Sequence, residues 1–177
     1  MSMTLRMLLP LVFTFVVVSS MISAQVATCT VSRDRIQLSC PNGWTVLTES
    51  ENETTIGNYT RPPDTPKNVF GGPGKAWISF RTLPRLYRNL DEWIFAGTKN
   101  APEAVRTSST VRNNTFGEVK VTCLESPQKP GTLYYSCYFK LGKTAALLEL
   151  TYGADDPRKA EYRSATLRTI ETGAVAK

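Results

Sequence analysis

The chain contains no histidine. Histidine is the usual base of serine and cysteine hydrolases and a common ligand of zinc and copper. Its absence therefore excludes Ser-His and Cys-His nucleophile pairs and most sites for those metals. Chemistry that uses only carboxylates or lysine stays open. We predict that the protein is not an enzyme and that it has no metal site and no cofactor.

Long apolar runs are scarce as well. The one such run, Leu8 to Val18, follows Arg6 and is shorter than the roughly 20 residues that a membrane-spanning helix needs. Ala24 then offers a small residue before a cleavage point. This pattern predicts a signal peptide at residues 1–24 and an exported mature chain, residues 25–177, that folds as a single domain without a membrane span. The expected location is the periplasm or the extracellular space.

The charge of the chain is only mildly unbalanced. The formal net charge is +6, and removing Arg6 with the signal peptide leaves +5 on the mature chain. The cations are scattered rather than clustered, which is typical of a solvated surface of mixed charge. We expect no specific nucleic-acid partner. A basic patch that binds an anionic polymer is the alternative.

The four cysteines include no Cys-x-x-Cys pair, so a zinc site is not indicated. In an exported chain they predict two disulfide bonds. A tight turn at Asp34-Arg35 places Cys29 opposite Cys40, and a longer hairpin places Cys123 opposite Cys137. We predict these two bonds, each of which stabilises the fold by roughly 3 kcal/mol on a chain-entropy argument.

Cys29 also ends a stretch, Val26-Ala27-Thr28-Cys29, that resembles a bacterial lipobox. Lipidation would make Cys29 the mature N-terminus, leave Cys40 as a free thiol and anchor the protein to a membrane surface. Thr28 stands where the usual motif has Gly or Ala. The disulfide is therefore the leading prediction, and a lipoprotein anchored through Cys29 is the alternative.

The stretch from Phe116 to Tyr152 is the strongest fold signal in the sequence. Three strand-like runs are joined by a turn at Pro127–Thr132 and by Gly142-Lys143, a two-residue turn with glycine first. Because side chains alternate along a strand, folding at these turns places one apolar set on a single face. The expected cross-strand pairs are Val119 with Leu141, Val121 with Phe139, Cys123 with Cys137, Phe139 with Ala146, Cys137 with Leu148, and Tyr135 with Leu150.

Two helices are predicted. The first begins after Asn89, which forms a capping-box pattern with Glu92, and the segment from Gly97 to Pro102 ends it. The second begins at Asp155-Asp156-Pro157 and ends before Gly173. The residues expected on its buried side are Ala160, Ser164, Leu167 and Ile170.

Further strands are predicted at Trp44–Thr48, Thr54–Tyr59, Ala76–Leu83 and Thr110–Arg112. In the third of these, Trp77, Ser79 and Arg81 share one face. Together with the central meander they predict an α+β fold, in which a central antiparallel sheet of about six strands is packed by a mid-chain helix and a C-terminal helix.

The order of elements, with Pro41-Asn42-Gly43-Trp44, Leu90-Asp91-Glu92-Trp93, Leu148–Gly153 and Leu167–Ile170, resembles the PsbP-like family. That family includes the extrinsic proteins of the oxygen-evolving complex and many exported bacterial relatives. The resemblance implies an α/β/α sandwich and a role in docking or scaffolding without catalysis. It carries over no catalytic residue.

Two regions are candidates for contact with a partner. The segment from Arg61 to Lys75 carries four prolines and three glycines, so it is neither a helix nor an inner strand, and a loop of that length is often functional. In the predicted register, Lys120 lies opposite Lys140 beside Tyr138, where two like charges could face an anion. The residues predicted to contact a partner are Arg61, Lys67, Phe70, Lys75, Lys120, Tyr138 and Lys140.

Three asparagines, Asn52, Asn58 and Asn113, begin glycosylation sequons, which matter only in a eukaryotic secretory pathway. The alternative for the segment from Arg61 to Lys75 is a plain connector. The alternative for Lys120 and Lys140 is a pair of solvated side chains that bind nothing. The paired acids Asp91-Glu92 and Asp155-Asp156 are expected to stabilise helix starts.

The sequence thus predicts an exported, non-catalytic binding or scaffolding domain of the bacterial envelope. Its partner is expected to be a protein or an envelope component, contacted through the segment from Arg61 to Lys75 and the exposed edge of the sheet. The domain is expected to be a monomer. The alternatives are a small secreted hydrolase that uses carboxylates and a basic protein that binds an anionic polymer. A deep pocket with two acids of raised pKa would favour the hydrolase.

The intact mass of the protein purified from its native host, before and after reduction and alkylation, tests this scheme. We expect a chain that starts near Gln25 and takes up alkylating reagent at four cysteines only after reduction. A chain that starts at a lipidated Cys29 and has one free thiol would contradict the first disulfide.

Overall fold

A computed structural model describes residues 29–61 and 73–175. The predicted signal peptide and the centre of the proline- and glycine-rich segment lie outside the described residues. Within the described part the chain forms ten strands and two helices. In order they are β1 Thr30–Arg33, β2 Ile36–Ser39, β3 Thr45–Glu49, β4 Thr54–Gly57, β5 Trp77–Thr82, α1 Leu90–Asn100, β6 Val105–Asn113, β7 Gly117–Lys129, β8 Thr132–Leu141, β9 Thr144–Gly153, α2 Lys159–Glu171 and β10 Ala174–Val175.

Seven strands form one antiparallel sheet in the order β3-β4-β5-β9-β8-β7-β6. The other three form a small sheet in the order β1-β2-β10. The prediction of an α+β fold with a central antiparallel sheet and two helices is confirmed, with seven strands in that sheet where about six were expected.

The register of the central meander follows its turns. Cys123 pairs with Cys137 and Val121 with Phe139, and the predicted pairs between β8 and β9 also form. Gly131 and Gly142 have φ angles of 77° and 58°, in the left-handed region that glycine enters without steric cost. An irregularity between Pro127 and Lys129 absorbs the extra residue of the first turn.

The alternation along these strands gives the sheet two different faces. One face carries the main core, which α2 and the small sheet cover, and its members include Ile36, Leu38, Phe80, Phe139, Leu148 and Leu150. The other carries a smaller cluster beneath α1, made of Trp93, Ile94, Leu124, Tyr138 and Leu147. The helices therefore pack on opposite faces of the sheet.

The first helix begins and ends where the sequence predicted. The Asn89 side chain accepts a hydrogen bond of 2.9 Å from the Glu92 amide, which confirms the cap. The helix ends at Asn100, within the predicted region from Gly97 to Pro102. A Cβ atom at Gly97 would clash with the Tyr138 hydroxyl. Glycine at this position therefore allows the close approach of α1 to the sheet.

The second helix corrects two predictions. It begins at Lys159, and its cap residue, Arg158, makes no side-chain capping bond, because Asp156 instead accepts the Arg158 amide in the turn before it. Of the four residues predicted on its buried side, Ile170 is buried and Leu167 is half-buried against the core, whereas Ala160 and Ser164 are exposed. The buried residues are Tyr162, Ala165, Thr166, Thr169 and Ile170. The two threonines can be buried because their hydroxyls donate to the carbonyls of Tyr162 and Ala165.

The strand before the meander is also longer than expected. Only Thr110–Arg112 was predicted, and the structure extends β6 over nine residues. Its polar composition gives little local signal. The strand forms because each of its residues pairs with one in β7.

Both predicted disulfide bonds are present in the structure. Cys29 is bonded to Cys40 and Cys123 to Cys137, and the second pair is fully buried in the main core. Bonds of this kind are typical of an oxidising compartment outside the cytoplasm. No helix of the described residues has the length and apolar character needed to span a membrane.

Asn113 joins the end of β6 to the end of α2. Its side-chain amide donates to the carbonyls of Ile170 and Gly173 at 2.6 and 2.8 Å. Its side-chain oxygen accepts from the amides of Thr115 and Phe116, both at 2.8 Å. All of this occurs at a residue that is 2% exposed, so the folded protein offers no free amide for a glycan at this sequon.

Substituting Asn113→Ala removes these four bonds and leaves buried backbone groups without partners. We expect a loss of about 3 kcal/mol in the free energy of unfolding, measured by urea denaturation. The neighbouring Asn114→Ala, at an exposed side chain, is the matched control and should change stability by no more than about 0.5 kcal/mol. Equal losses in the two variants would contradict this role for Asn113.

Candidate functional site

The helix α1 covers only part of its face of the sheet. It packs on β7 and β8, so the face formed by β4, β5, β9 and the start of β8 stays open. Three adjoining cavities, of about 590, 350 and 240 Å³, follow this open face toward α1. The first two share Trp77 and Thr132, and the last two share Arg81, Tyr134 and Glu149. We call this continuous feature the sheet groove.

The side chains of the sheet groove come from cross-strand rows. Because β5, β9 and β8 are in register, every second residue of each strand faces the groove. The rows are Trp77, Thr151 and Tyr134; Ser79, Glu149 and Ser136; and Arg81, Leu147 and Tyr138. Hydroxyl groups thus form the floor, with an aromatic pair at one end and charged groups in the middle.

Arg81 is the centre of the charged part. Its Nε lies 2.5 Å from Oε2 of Glu53, in the turn before β4, and its guanidinium lies 3.4 Å from Oε1 of Glu149. Ser79 donates to Glu53 at 2.9 Å, and Ser136 donates to Glu149 at 3.2 Å. The two carboxylates are therefore held in place by one shared cation and by hydroxyls of the floor.

This arrangement keeps Glu53 ionised. Burial alone would raise the pKa of Glu53, but the charge of Arg81 and the hydrogen bonds from Arg81, Ser79 and Thr55 together lower it below its usual value of 4.5. Burial would lower the pKa of Arg81, and the charges of Glu149 and Glu53 raise it instead. A carboxyl group in this state cannot deliver a proton near neutral pH.

Tyr138 closes the end of the sheet groove beneath α1. Its ring meets Trp93 edge to face, with ring centroids 5.5 Å apart. Burial, together with the negative charge of Glu149, raises the pKa of Tyr138 to about 12. Its hydroxyl therefore stays protonated and can serve only as a neutral hydrogen-bonding group.

The opposite end of the groove is a corner cavity beside the proline- and glycine-rich segment. The carbonyl of Gly74 accepts hydrogen bonds from Arg158, Tyr162 and Asn58. The side-chain oxygen of Asn58 in turn accepts from the Ala76 amide at 2.9 Å. These bonds fix the returning end of the segment against α2, so the wall of the cavity is formed by well-anchored residues.

The structure does not bring the predicted contact residues together. Lys75 lines the corner cavity, with Nζ 4.9 Å from the centre of the Tyr59 ring, and Arg61 is half-buried at the other end of the segment. Tyr138 is buried beneath α1, so it does not share an exposed patch with Lys120 and Lys140, which lie exposed near the far edge of the sheet. Lys67 and Phe70 lie outside the described residues.

The charged centre of the groove was not predicted from the sequence. The alternation in β5 correctly placed Arg81 with Trp77 and Ser79, and a single Glu149 within an apolar strand was a second available signal. No sequence pattern pointed to Glu53, because it lies in a polar turn. Among the described residues, no cluster of acidic or sulfur-containing side chains could hold a metal ion.

Comparison with known proteins places the chain in no established group. No protein family matches its sequence, and no curated protein matches it either. One similar solved structure is described as a mutant of the protein Mog1; it is 10% identical, with a TM-score of 0.47 over 85% of this chain and 96% of that chain. A likeness at this level carries no information about ligand or partner.

The lowered pKa of Glu53 predicts a specific dependence of stability on pH. Its contribution is complete above the unfolded-state pKa of about 4.5 and is lost as the pH falls through the lower folded-state value. At neutral pH the wild-type protein should have a larger free energy of unfolding than the Glu53→Gln variant. This difference should disappear as the pH falls below about 4.5. Glu49→Gln, on the exposed end of β3, is the matched control. An advantage that grows on acidification would contradict the assignment.

Proposed function

We propose that the protein is an exported, non-catalytic binding domain of the bacterial envelope and that its sheet groove holds a segment of the partner. The observation that carries this proposal is the Glu53–Arg81–Glu149 network, because its charges are already paired and oriented before any partner arrives. A preorganised polar surface loses little conformational freedom on binding.

The chemistry of the groove favours binding over hydrolysis. A carboxylate hydrolase needs one acid whose pKa is raised so that it can protonate a leaving group. The pKa of Glu53 is instead lowered by Arg81. Arg81 also forms ion pairs with both Glu53 and Glu149, so neither carboxylate stands alone in the groove. The lowered pKa of Glu53 therefore supports a binding protein over a secreted hydrolase.

The lining indicates the kind of segment that would fit. Trp77 and Tyr134 offer flat surfaces at the corner end, while the hydroxyls of Ser136 and Thr151 line the floor. Such a groove suits a narrow, polar segment that makes hydrogen bonds along its length. A loop of an envelope protein has these properties, as does an extended envelope polymer.

Export and family remain part of the proposal. The apolar run at the start of the sequence supports a signal peptide, and the two disulfide bonds support an oxidising compartment. The bond between Cys29 and Cys40 occupies the sulfur that lipidation would need, so we favour a soluble form over a lipoprotein. The order of the strands and helices is consistent with the PsbP-like resemblance.

Site-specific photo-crosslinking in the native host tests the groove. A crosslinking residue at Tyr134, inside the groove, should capture a discrete partner, whereas one at Lys143, in the distant turn between β8 and β9, should not. Excess purified wild-type protein should compete for capture, and Arg81→Gln should compete roughly tenfold less well because the charge network is broken. Tyr134→Ser, which leaves the charge network intact, guards against a folding defect and should also compete poorly.

Equal capture from both positions, or full competition by both groove variants, would contradict a binding role for the groove. A different outcome is that the purified protein hydrolyses a substrate of secreted hydrolases. If that hydrolysis is lost in the Glu149→Gln variant, the protein is the enzyme of the alternative hypothesis.

A further inference from the structure

The two edges of the large sheet differ in how they are protected. The β3 edge is five residues long and its pairing is interrupted between Val46 and Thr48. The β6 edge is nine residues long, contains no proline, and pairs with β7 in an unbroken register. Interruptions, prolines, short length and charged side chains are the usual means of preventing a further strand from adding to an edge. Of these the β6 edge has only charges, Arg106 and Arg112, which disfavour a basic strand but not an acidic one.

The spacing of the buried disulfide shows which backbone groups of β6 face outward. The Cα atoms of Cys123 and Cys137 are 4.1 Å apart. That spacing fits a cross-strand pair without mutual backbone hydrogen bonds, at about 4.5 Å, rather than a bonded pair at about 5.5 Å. The amide and carbonyl of Cys123 therefore point away from β8 and toward Thr107, its partner in β6.

Because the pattern repeats every second residue, the remaining residues of β6 present their amides and carbonyls to the outer edge. These residues are Arg106, Ser108, Thr110 and Arg112, all with exposed side chains. Among the described residues, no other strand pairs with this edge. An extended peptide would find eight backbone hydrogen-bonding groups in a row.

The side chains at this edge carry a positive charge that is not neutralised within the described structure. Arg106 and Arg112 share the α1 side of the sheet with Lys120, which pairs across the ladder with Thr110, and with the exposed Lys140 of the next strand. None of the four forms an ion pair with another described residue. One acid, Glu118, lies opposite Arg112 and leaves a clear positive excess.

We propose that the β6 edge binds an extended acidic segment of a partner protein as an eighth strand of the sheet. The backbone ladder supplies affinity, and acidic residues at every second position of the segment face the arginines and lysines. On the other side of the sheet the segment meets Val105, Thr107 and Ser109, so its alternate residues are small or apolar. This site is separate from the sheet groove and does not depend on it.

Amide hydrogen exchange of the isotope-labelled protein, followed by NMR, tests the site. The probe is a synthetic peptide of alternating glutamate and threonine, and the control peptide has lysine in place of glutamate. In the free protein the amides of Ser108 and Thr110 should exchange rapidly, while those of Thr107 and Ser109, which bond to β7, should be protected. The glutamate peptide should slow exchange at Ser108 and Thr110, and the lysine peptide should not.

Two pairs of variants separate the contribution of the backbone hydrogen bonds of β6 from that of its charged side chains. Ser108→Pro removes an outward amide without breaking the bonds to β7, and it should weaken binding of the glutamate peptide roughly tenfold, whereas Ser108→Ala should bind normally. The double substitution Arg106→Glu with Arg112→Glu should abolish the preference for the glutamate peptide over the lysine peptide. Arg81→Gln, in the groove, should leave peptide binding unchanged.

Several results would overturn the proposal. Slow exchange at Ser108 and Thr110 in the free chain would show that another part of the same chain already covers the edge. Protection that appears with rising protein concentration alone would identify a second copy as the occupant. Equal binding of both peptides, or binding of an anionic polysaccharide with no change in these amides, would exclude an acidic strand.

Discussion

The pairing of Cys123 with Cys137 determines which side of the sheet each residue of the central meander occupies, and the other features depend on that choice. A shift of one residue would exchange the two faces, moving Phe139 and Leu148 out of the core and Glu149 and Ser136 into it. In the observed register, apolar residues meet α2 and polar residues line the groove. The same register turns the free backbone groups of β6 toward solvent.

The charged centre of the groove depends on contacts far from the sheet itself. The guanidinium of Arg33, in the hairpin closed by Cys29 and Cys40, donates to the carbonyls of Ser50 and Glu51 and so positions the turn that carries Glu53. Glu53 in turn holds Arg81 against Glu149. Removing Arg81 would leave two half-buried carboxylates without their cation, which is unfavourable because each has lost part of its hydration. The first disulfide hairpin thus contributes indirectly to the geometry of the groove.

The sequence predicted those features that local chemistry decides. Glycine at Gly142 and Gly131, the cap at Asn89 and the alternation of the meander each specify structure within a few residues. The features that it did not predict arise from contacts over long separations. Arg81 meets Glu53 and Glu149 at separations of 28 and 68 residues. The length of β6 depends on its pairing with β7, and glycine is needed at Gly97 because the Tyr138 hydroxyl lies close to it. The burial of two threonines in α2 was not predicted either. Threonine is polar, and the amino-acid sequence does not show that these hydroxyls bond to the helix backbone.

The central claim is that the groove holds paired charges for binding and not an acid poised for catalysis. Carbon-detected NMR titration of the side-chain carboxyl groups measures this directly for Glu53 in the intact protein. We expect an apparent pKa for Glu53 below 4.5 and a rise in that value in the Arg81→Gln variant. An apparent pKa of Glu53 near neutrality in the wild-type protein would contradict the account, because it would describe a protonated acid in a pocket and not one half of a charge pair.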